Sequence, residues 1–315
     1  SKESSPASQT GLRTREMVVA TGFFDGVHLG HRFLLEQLVK AAGERGDWSM
    51  VVTFWPHPRN VLQDDARNLR LLTTMEEKKR ILTGIGVNYV EVIPFTRAFS
   101  RMTTEEYLRE WIAERLGGRT ILLGYDNRIG SDLRTPEETA GIAERLGLEV
   151  IRADRYTGPE GIVLSSTKIR NLLATGQVEK ANAMLGYGYQ LHGVVVAGNR
   201  LGRTMGFPTA NMQLYEPLKL IPAGGVYLVR VETVGREFYG MCNIGVRPTV
   251  GNGNAMTIET NIFDFNEDIY GLDITLTFIT KIRDEARFPD MAGLAAQLGR
   301  DREKCYSLIA EKSLY

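Results

Sequence analysis

Up to about Leu185 the chain alternates short apolar runs with stretches whose apolar residues recur at helical spacing. Residues 17–24, 50–54, 89–95, 120–124 and 148–153 are too short and too rich in β-branched or aromatic residues for helices, and read as buried strands. Between them, residues 32–44, 74–84, 103–116 and 136–146 carry helical periodicity, with Gly43, Gly84, Gly117 and Gly147 at expected stops. Such alternation predicts an α/β fold, a doubly wound parallel sheet with helices on both faces. After Gly186 the rhythm changes. Residues 191–196, 225–233, 236–244, 256–263 and 272–279 follow one another as strands with glycine-containing turns, and helical periodicity returns only from about Met291. That pattern predicts an antiparallel β-barrel closed by a C-terminal helix. The expected organisation is a flexible polar tail over 1–16, one domain over 17–186 and a second over 187–315.

Composition narrows the classes of function. With 315 residues, 38 Lys plus Arg against 38 Asp plus Glu, 43% hydrophobic and 24% charged residues, the chain reads as an ordinary globular protein large enough for two cores. A polycationic nucleic-acid binder is excluded by the charge balance. Two cysteines, Cys242 and Cys305, make neither a disulfide scaffold nor a multi-cysteine zinc site, and read as small buried hydrophobes. No apolar run nears the ~18 residues of a membrane span, and the first residues lack a secretory signal's apolar stretch. No membrane or nucleic-acid partner is expected, and the cytoplasm is the default location.

The first concentration of chemistry is the segment running from Thr21-Gly22-Phe23-Phe24 through Asp25-Gly26-Val27-His28-Leu29-Gly30-His31, where the first strand ends and the first helix begins. Gly22, Gly26 and Gly30 let backbone approach a ligand, and amides at a helix start favour anions. The spacing is neither the dinucleotide fingerprint nor the P-loop. His28 and His31, three positions apart, can donate to a phosphoryl group that gains charge in a transition state. The alternatives are a capped turn with incidental histidines, or half of a metal site, for which few further ligands exist. A second segment, Ser165-Ser166-Thr167-Lys168-Ile169-Arg170, opens a helical pattern with hydroxyls at its cap and two cations on its first turn, an anion site suited to a leaving pyrophosphate.

These two segments, with Thr53-Phe54-Trp55-Pro56-His57-Pro58, resemble the bacterial bifunctional riboflavin kinase and FAD synthetase family, a branch of the HxGH-type nucleotidyltransferases. The resemblance implies transfer of AMP from ATP to FMN. It implies catalytic donors and cations at His28, His31, Lys168 and Arg170, nucleotide contacts at Gly22, Phe24, Gly30, Ser165, Ser166 and Thr167, and flavin contacts at His57 and Asp126. The loop at 124–130 matches the family only partly, since Asn127 and Ile129 stand where aromatic residues are usual.

In the second half, residues 198–211 form a long glycine-rich loop in which Arg200, Arg203 and Thr204 could cradle phosphates; a merely flexible barrel loop is the plain alternative. Its end, Gly206-Phe207-Pro208-Thr209-Ala210-Asn211, is the string most specific to riboflavin kinases. Residues 243–249, 268–271 and 283–288 add to the match. The resemblance implies a β-barrel kinase domain, phosphate contacts at Gly202, Arg203, Thr204, Gly206 and Pro208, and Mg²⁺ held with the ATP phosphates by Thr209 and Asn211, hard oxygen donors that suit it. It implies that Glu259 is the catalytic base for a neutral alcohol, and that Arg283, Arg287 and Phe288 contact flavin. Asn261 stands where many members carry His. On an alternating strand Glu259 and Asn261 share a face that Ile258 does not.

The expectation is therefore a bifunctional transferase acting on riboflavin, FMN and ATP with Mg²⁺ and yielding FMN and FAD. Retention of one activity alone, or a flavin- or nucleotide-sensing module without turnover, are the alternatives. Split at residue 186, each part is within one charge of neutrality. Polyanionic substrates must then be held locally rather than drawn in by a general field.

Overall fold

A computed structural model describes residues 13–62, 69–158, 161–198, 201–248, 250–251 and 254–312. The chain divides into two compact units that interleave along the sequence. One takes residues up to Phe24, His31–Asp65 and Lys79–Thr157; the other takes Asp25–Gly30, Ala66–Lys78 and everything from Gly158 onward.

The first unit is built on five parallel strands: β1 (Met17–Thr21), β2 (Trp48–Trp55), β3 (Tyr89–Pro94), β4 (Gly118–Leu123) and β5 (Glu149–Arg152). Their order is β3-β2-β1-β4-β5, so the strand order reverses beside β1. Buried runs such as 18–20 and 121–123 show why: a parallel strand is covered on both faces and has no polar side to keep. The connecting helices are α1 (Leu29–Arg45), α2 (Pro58–Leu62), α3 (Met75–Ile85), α4 (Thr104–Glu106, continued by a π-helical segment Tyr107–Arg115) and α5 (Pro136–Arg145). Thr103 and Thr135 cap their helices by accepting the Glu106 and Glu138 amides. Two expected helix stops move. Gly43 and Gly84 lie inside α1 and α3, and the left-handed positions that end these helices are Gly46 (φ 68°) and Gly86 (φ 110°), three and two residues further on. The first strand ends at Thr21 rather than at residue 24, because Phe24 and Val27 have positive φ and turn the chain.

Of the expected tail, residues 1–12 lie outside the described residues. Arg13 and Glu16 are tied down: the Arg13 guanidinium is 3.3 Å from the buried Asp47 carboxylate, which also accepts the Glu16 amide at 3.0 Å.

The second unit carries α6 (Ser166–Ala174), α7 (Val178–Leu185), β6 (Gln190–Val196), α8 (Leu201–Thr204), β7 (Ala210–Leu214), β8 (Gly225–Thr233), β9 (Arg236–Pro248), β10 (Asn254–Ile262), β11 (Asp273–Arg283) and α9 (Met291–Lys312). The strands close a barrel in the order β10-β7-β6-β11-β8-β9, every pair antiparallel. Ile169, Leu173, Val178, Ala181 and Leu185 of α6 and α7 share one core with the barrel residues Tyr189, Tyr227, Ile258 and Phe278. A smaller core on the barrel's other face packs Val226, Leu228, Met241 and Phe263 against Cys305 of α9. Both cysteines are free and buried, as the composition suggested.

Sequence reading missed α7 and β7. The latter begins at the end of the expected loop over 198–211, and Ala210-Asn211-Met212-Gln213-Leu214 has little β-branching; its place is decided by pairing with β6 and β10 on its two sides.

Candidate functional site

In the parallel-sheet unit the sequence-predicted residues gather at the carboxyl ends of β1, β2 and β4, beside the point where the strand order reverses, the usual place for a ligand in such sheets. Gly22 ends β1, its amide donating to the Val52 carbonyl at 3.0 Å. A Cβ there would stand 3.1 Å from the Phe24 ring, so any larger residue would press on that ring. Phe24 meets the His31 imidazole edge to face, centroids 5.3 Å apart. Phe23 packs on Phe54 at 5.0 Å and on His57 at 5.2 Å, and His57 Nδ1 accepts the Arg59 amide at 3.2 Å. After β4, Asn127 Nδ2 donates to the Thr21 carbonyl at 3.3 Å, tying that loop to the end of β1. Ile129 is buried in the sheet core, and Tyr125 and Asp126 are exposed. The two residues that depart from the family pattern thus anchor the loop rather than line open space.

In the second unit the structure joins the histidine turn to the cap of α6. Ser165 caps α6 by accepting the Lys168 amide at 3.1 Å. Helix geometry then leaves the Ser166 and Thr167 amides as donors at the positive end of the helix dipole. The Ser166 hydroxyl donates to the Asp25 carbonyl at 2.8 Å, and the Arg170 guanidinium pairs with the Asp25 carboxylate while its Nε donates to the Arg70 carbonyl at 2.9 Å. Lys168 and Thr167 are exposed. Of the two cations expected to meet phosphate, Lys168 therefore points to solvent and Arg170 is engaged by Asp25.

His28 is buried beside these groups. Its Nδ1 accepts the Gly30 amide at 3.1 Å, so a neutral imidazole carries its proton on Nε2. Burial pulls its pKa down from 6.5 to about 4, the nearby Asp25 charge offsetting this only in part. At neutral pH His28 is an uncharged donor.

Within the barrel, Arg203, Pro208, Thr209 and Asn211 line one cleft of about 830 Å³, together with residues 195–198 and 265–270. That volume suits a small molecule of nucleotide size. Gly198 lets Asn211 lie flat on the wall: a Cβ at 198 would stand 1.8 Å from Asn211 Nδ2. Gly206, at φ 78°, turns the chain between α8 and β7. Gly202 and Thr204 lie on α8, and residues 199, 200 and 249 fall outside the described residues. The described walls of the cleft do not include Glu259, Arg283, Arg287 or Phe288.

Glu259 reaches the region through sheet register instead. It stands opposite Asn211 of β7 on one side and Asn243 of β9 on the other, so the three side chains share a face. Asn261, two residues on, is buried and donates to the Pro208 carbonyl at 2.8 Å, while Ile258 and Ile262 face the core. Arg247, missed by sequence reading, places its guanidinium 3.5 Å from Glu259 Oε1. Its only sequence signal was membership of the 243–249 string. Arg283 is held elsewhere, its Nε donating to both oxygens of the buried Asp301 of α9 at 2.9 and 3.0 Å. Arg287 is exposed and Phe288 half-buried, 5.6 Å beneath the Arg283 guanidinium. Among the described residues no group of three or more His, Cys, Asp or Glu could hold a metal ion. A cation here would have to be completed by oxygens of its own ligand.

Comparison with known proteins agrees with this division of labour. The FAD synthetase family model matches residues 12–168 and the riboflavin kinase family model residues 185–309. Relatives named bifunctional riboflavin kinase/FMN adenylyltransferase include one from Listeria monocytogenes, 34% identical and covering 93% of each chain. Another from Bacillus subtilis is 33% identical over 91% of this chain and 90% of its own, and one from Escherichia coli K12 is 35% identical over 90% of both. A solved structure from Streptococcus pneumoniae superposes with a TM-score of 0.85 at 33% identity, over 92% of this chain and 94% of that one. That protein bears the name macrolide-efflux protein; in the present chain no helix among the described residues is long and apolar enough to cross a membrane. Two family models in order along the chain, and relatives matched over nine-tenths of their length, place this chain in the bifunctional riboflavin kinase/FMN adenylyltransferase family.

Proposed function

We propose that the chain catalyses two successive transfers: the terminal phosphoryl group of ATP to riboflavin, giving FMN and ADP, and AMP from a second ATP to FMN, giving FAD and pyrophosphate. The observation that supports it most is the joining of the histidine turn to the α6 cap through Asp25, which sets a neutral imidazole donor beside a helix N-terminus.

In the adenylyl transfer a phosphate oxygen of FMN attacks the α-phosphorus of ATP and the bond to pyrophosphate breaks. A phosphate monoester has a second pKa of about 6, so FMN is already a nucleophile at neutral pH and needs no general base. What it needs is donors placed where charge develops. His28 Nε2–H supplies one and the α6 amides, with Lys168, receive the departing pyrophosphate; His31, at the start of α1, is assigned as the second imidazole donor. Gly22, Phe24 and Gly30 shape the turn that receives the nucleotide, and His57 and Asp126 are assigned to the flavin side.

In the kinase reaction the nucleophile is a neutral primary alcohol, and a base is required. Glu259 is assigned that role. Its carboxylate takes the proton from the ribityl hydroxyl as the oxygen bonds to the γ-phosphorus, and Arg247 holds it in place. ATP occupies the cleft walled by Arg203, Pro208, Thr209 and Asn211. Thr209 and Asn211 offer neutral oxygens, a donor set that fits Mg²⁺ arriving with nucleotide phosphates rather than a free ion. Bound there, Mg²⁺ would neutralise the phosphates. Arg287 and Phe288 are assigned to riboflavin. The cytoplasm, where both cysteines would stay reduced, suits two buried and unbridged thiols.

Incubating the protein with riboflavin, ATP and Mg²⁺ and separating products by chromatography tests the reading directly; formation of neither FMN nor FAD refutes it. His31→Ala should stop FAD formation from FMN and spare riboflavin phosphorylation. Glu259→Ala should slow phosphorylation by about 10²–10⁴-fold and leave the FMN-to-FAD step intact.

A further inference from the structure

One buried ionic cluster in the second unit takes no part in either reaction as described. Lys219, on the connection between β7 and β8, is 3% exposed, and its Nζ donates to both oxygens of Glu77 at 2.8 and 2.9 Å and to the Leu72 carbonyl at 2.7 Å. The Tyr189 ring lies 4.3 Å beneath it, and His192 Nε2 is 3.7 Å from Glu77 Oε2. Burial alone would raise the Glu77 pKa, but His192 and Lys219 outweigh it and bring it down to about 2, so the carboxylate is charged. A buried ion pair is a poor source of net stability, because desolvation cancels most of its attraction; its better-attested effect is to select one arrangement.

What this pair selects can be followed residue by residue. Leu71 is stitched to the same connection, its amide donating to the Leu218 carbonyl and its carbonyl accepting the Leu220 amide, each at 2.8 Å. Leu72 is then gripped from both ends, its carbonyl by Lys219 and its amide by the Asp25 carboxylate at 3.2 Å. The Thr73 amide joins Asp25 at 3.2 Å, and the Thr73 hydroxyl accepts the Gly26 amide at 3.1 Å. A Cβ on Gly26 would stand 2.9 Å from Leu72 Cδ1, so the backbone of the histidine turn rests directly on Leu72.

We propose that Lys219, a barrel residue, is a positioning residue for FMN adenylyl transfer, holding Leu72 so that Asp25 and Gly26 set His28 at its working place. This rests on the adenylyltransferase reading above. The barrel's own chemistry lies at Asn211 and Glu259, which Lys219 does not touch.

The test is Lys219→Met in the full chain, with each reaction assayed from its own substrate. FMN adenylylation should lose about tenfold or more in kcat with KM for FMN and ATP changed by less than about twofold, and riboflavin phosphorylation should stay within about twofold of wild type. The single variant strands the Glu77 charge, so Lys219→Met/Glu77→Gln is made beside it, or in its place if the single variant does not fold. Removing both charges should restore the thermal midpoint, yet FAD formation should remain slow because the Leu72 carbonyl still lacks its donor. Recovery of FAD formation together with stability, equal loss of both activities, or an unaffected single variant would each overturn the proposal. A wild-type protein that makes FMN but no FAD would instead refute the adenylyltransferase reading on which it depends.

Discussion

His28 shows how a single side chain's surroundings set its chemistry. Its backbone partner fixes the tautomer, its burial keeps it neutral, and together they make it a donor that does not titrate at physiological pH. The same burial has a cost in acid. The folded-state pKa of about 4 lies below the ordinary 6.5, so as pH falls the unfolded chain takes up this proton first. Stability is thus full above about pH 6.5 and declines toward pH 4. Glu77 adds a second window, since its lowered pKa of about 2 means that its contribution is present above about 4.5 and lost toward pH 2. Urea midpoints should therefore fall between pH 7 and 4.5 in the wild type and fall less in His28→Gln. Equal slopes for the two proteins would contradict the buried, neutral imidazole. The presence of His28, Lys168 and Arg170 was legible in the sequence, but their division of labour was not. That Arg170 faces Asp25, and Arg283 faces Asp301, follows from which carboxylate lies within reach after folding.

At the level of elements, β7 carries Asn211 of the proposed nucleotide site. It pairs with β10 at Ala210 and Asn211, and with β6 from Asn211 to Leu214, so Asn211 is the residue at which the two registers meet. Gly198 gives its side chain room. Gly198→Ala should push Asn211 off the cleft wall and raise the KM for ATP in riboflavin phosphorylation by about tenfold, with FMN adenylylation unchanged. Steady-state kinetics on the two half-reactions decides this, and an unchanged KM would remove Asn211 from the nucleotide site. Sequence pattern found the strongly β-branched strands and the capped helices because local preference and tertiary role agree there. It missed β7 because a strand held on both sides by neighbours needs little intrinsic propensity. The helix stops were displaced for a related reason: a glycine is tolerated inside a helix, and the stop is the glycine that adopts positive φ, here Gly46 and Gly86.

For the whole molecule, charge balance sets the manner of substrate capture. With 38 basic and 38 acidic residues the protein has no general attraction for ATP or FMN. In the reactions proposed above their phosphates would be held locally, by helix amides, a few cations and Mg²⁺. Raising ionic strength from about 0.02 to 0.15 M should therefore change kcat/KM for ATP by less than about threefold in either reaction, where a steered encounter falls more steeply. A larger drop would point to long-range attraction. By itself the sequence determined the two fold classes and the order of the two chemistries, because strand and helix periodicity, glycine turns and helix caps are local properties of the chain. Only the tertiary structure decided the partnerships: that Asp25 draws in Arg170 and Ser166, that Glu259 faces Asn211 across two strands, and that Lys219 of the barrel holds the segment beneath the histidine turn. These are contacts between residues 48 to 147 positions apart. No local pattern encodes them, since they arise from the burial of charge and from sheet closure, where each group takes the partner that folding leaves within hydrogen-bond reach.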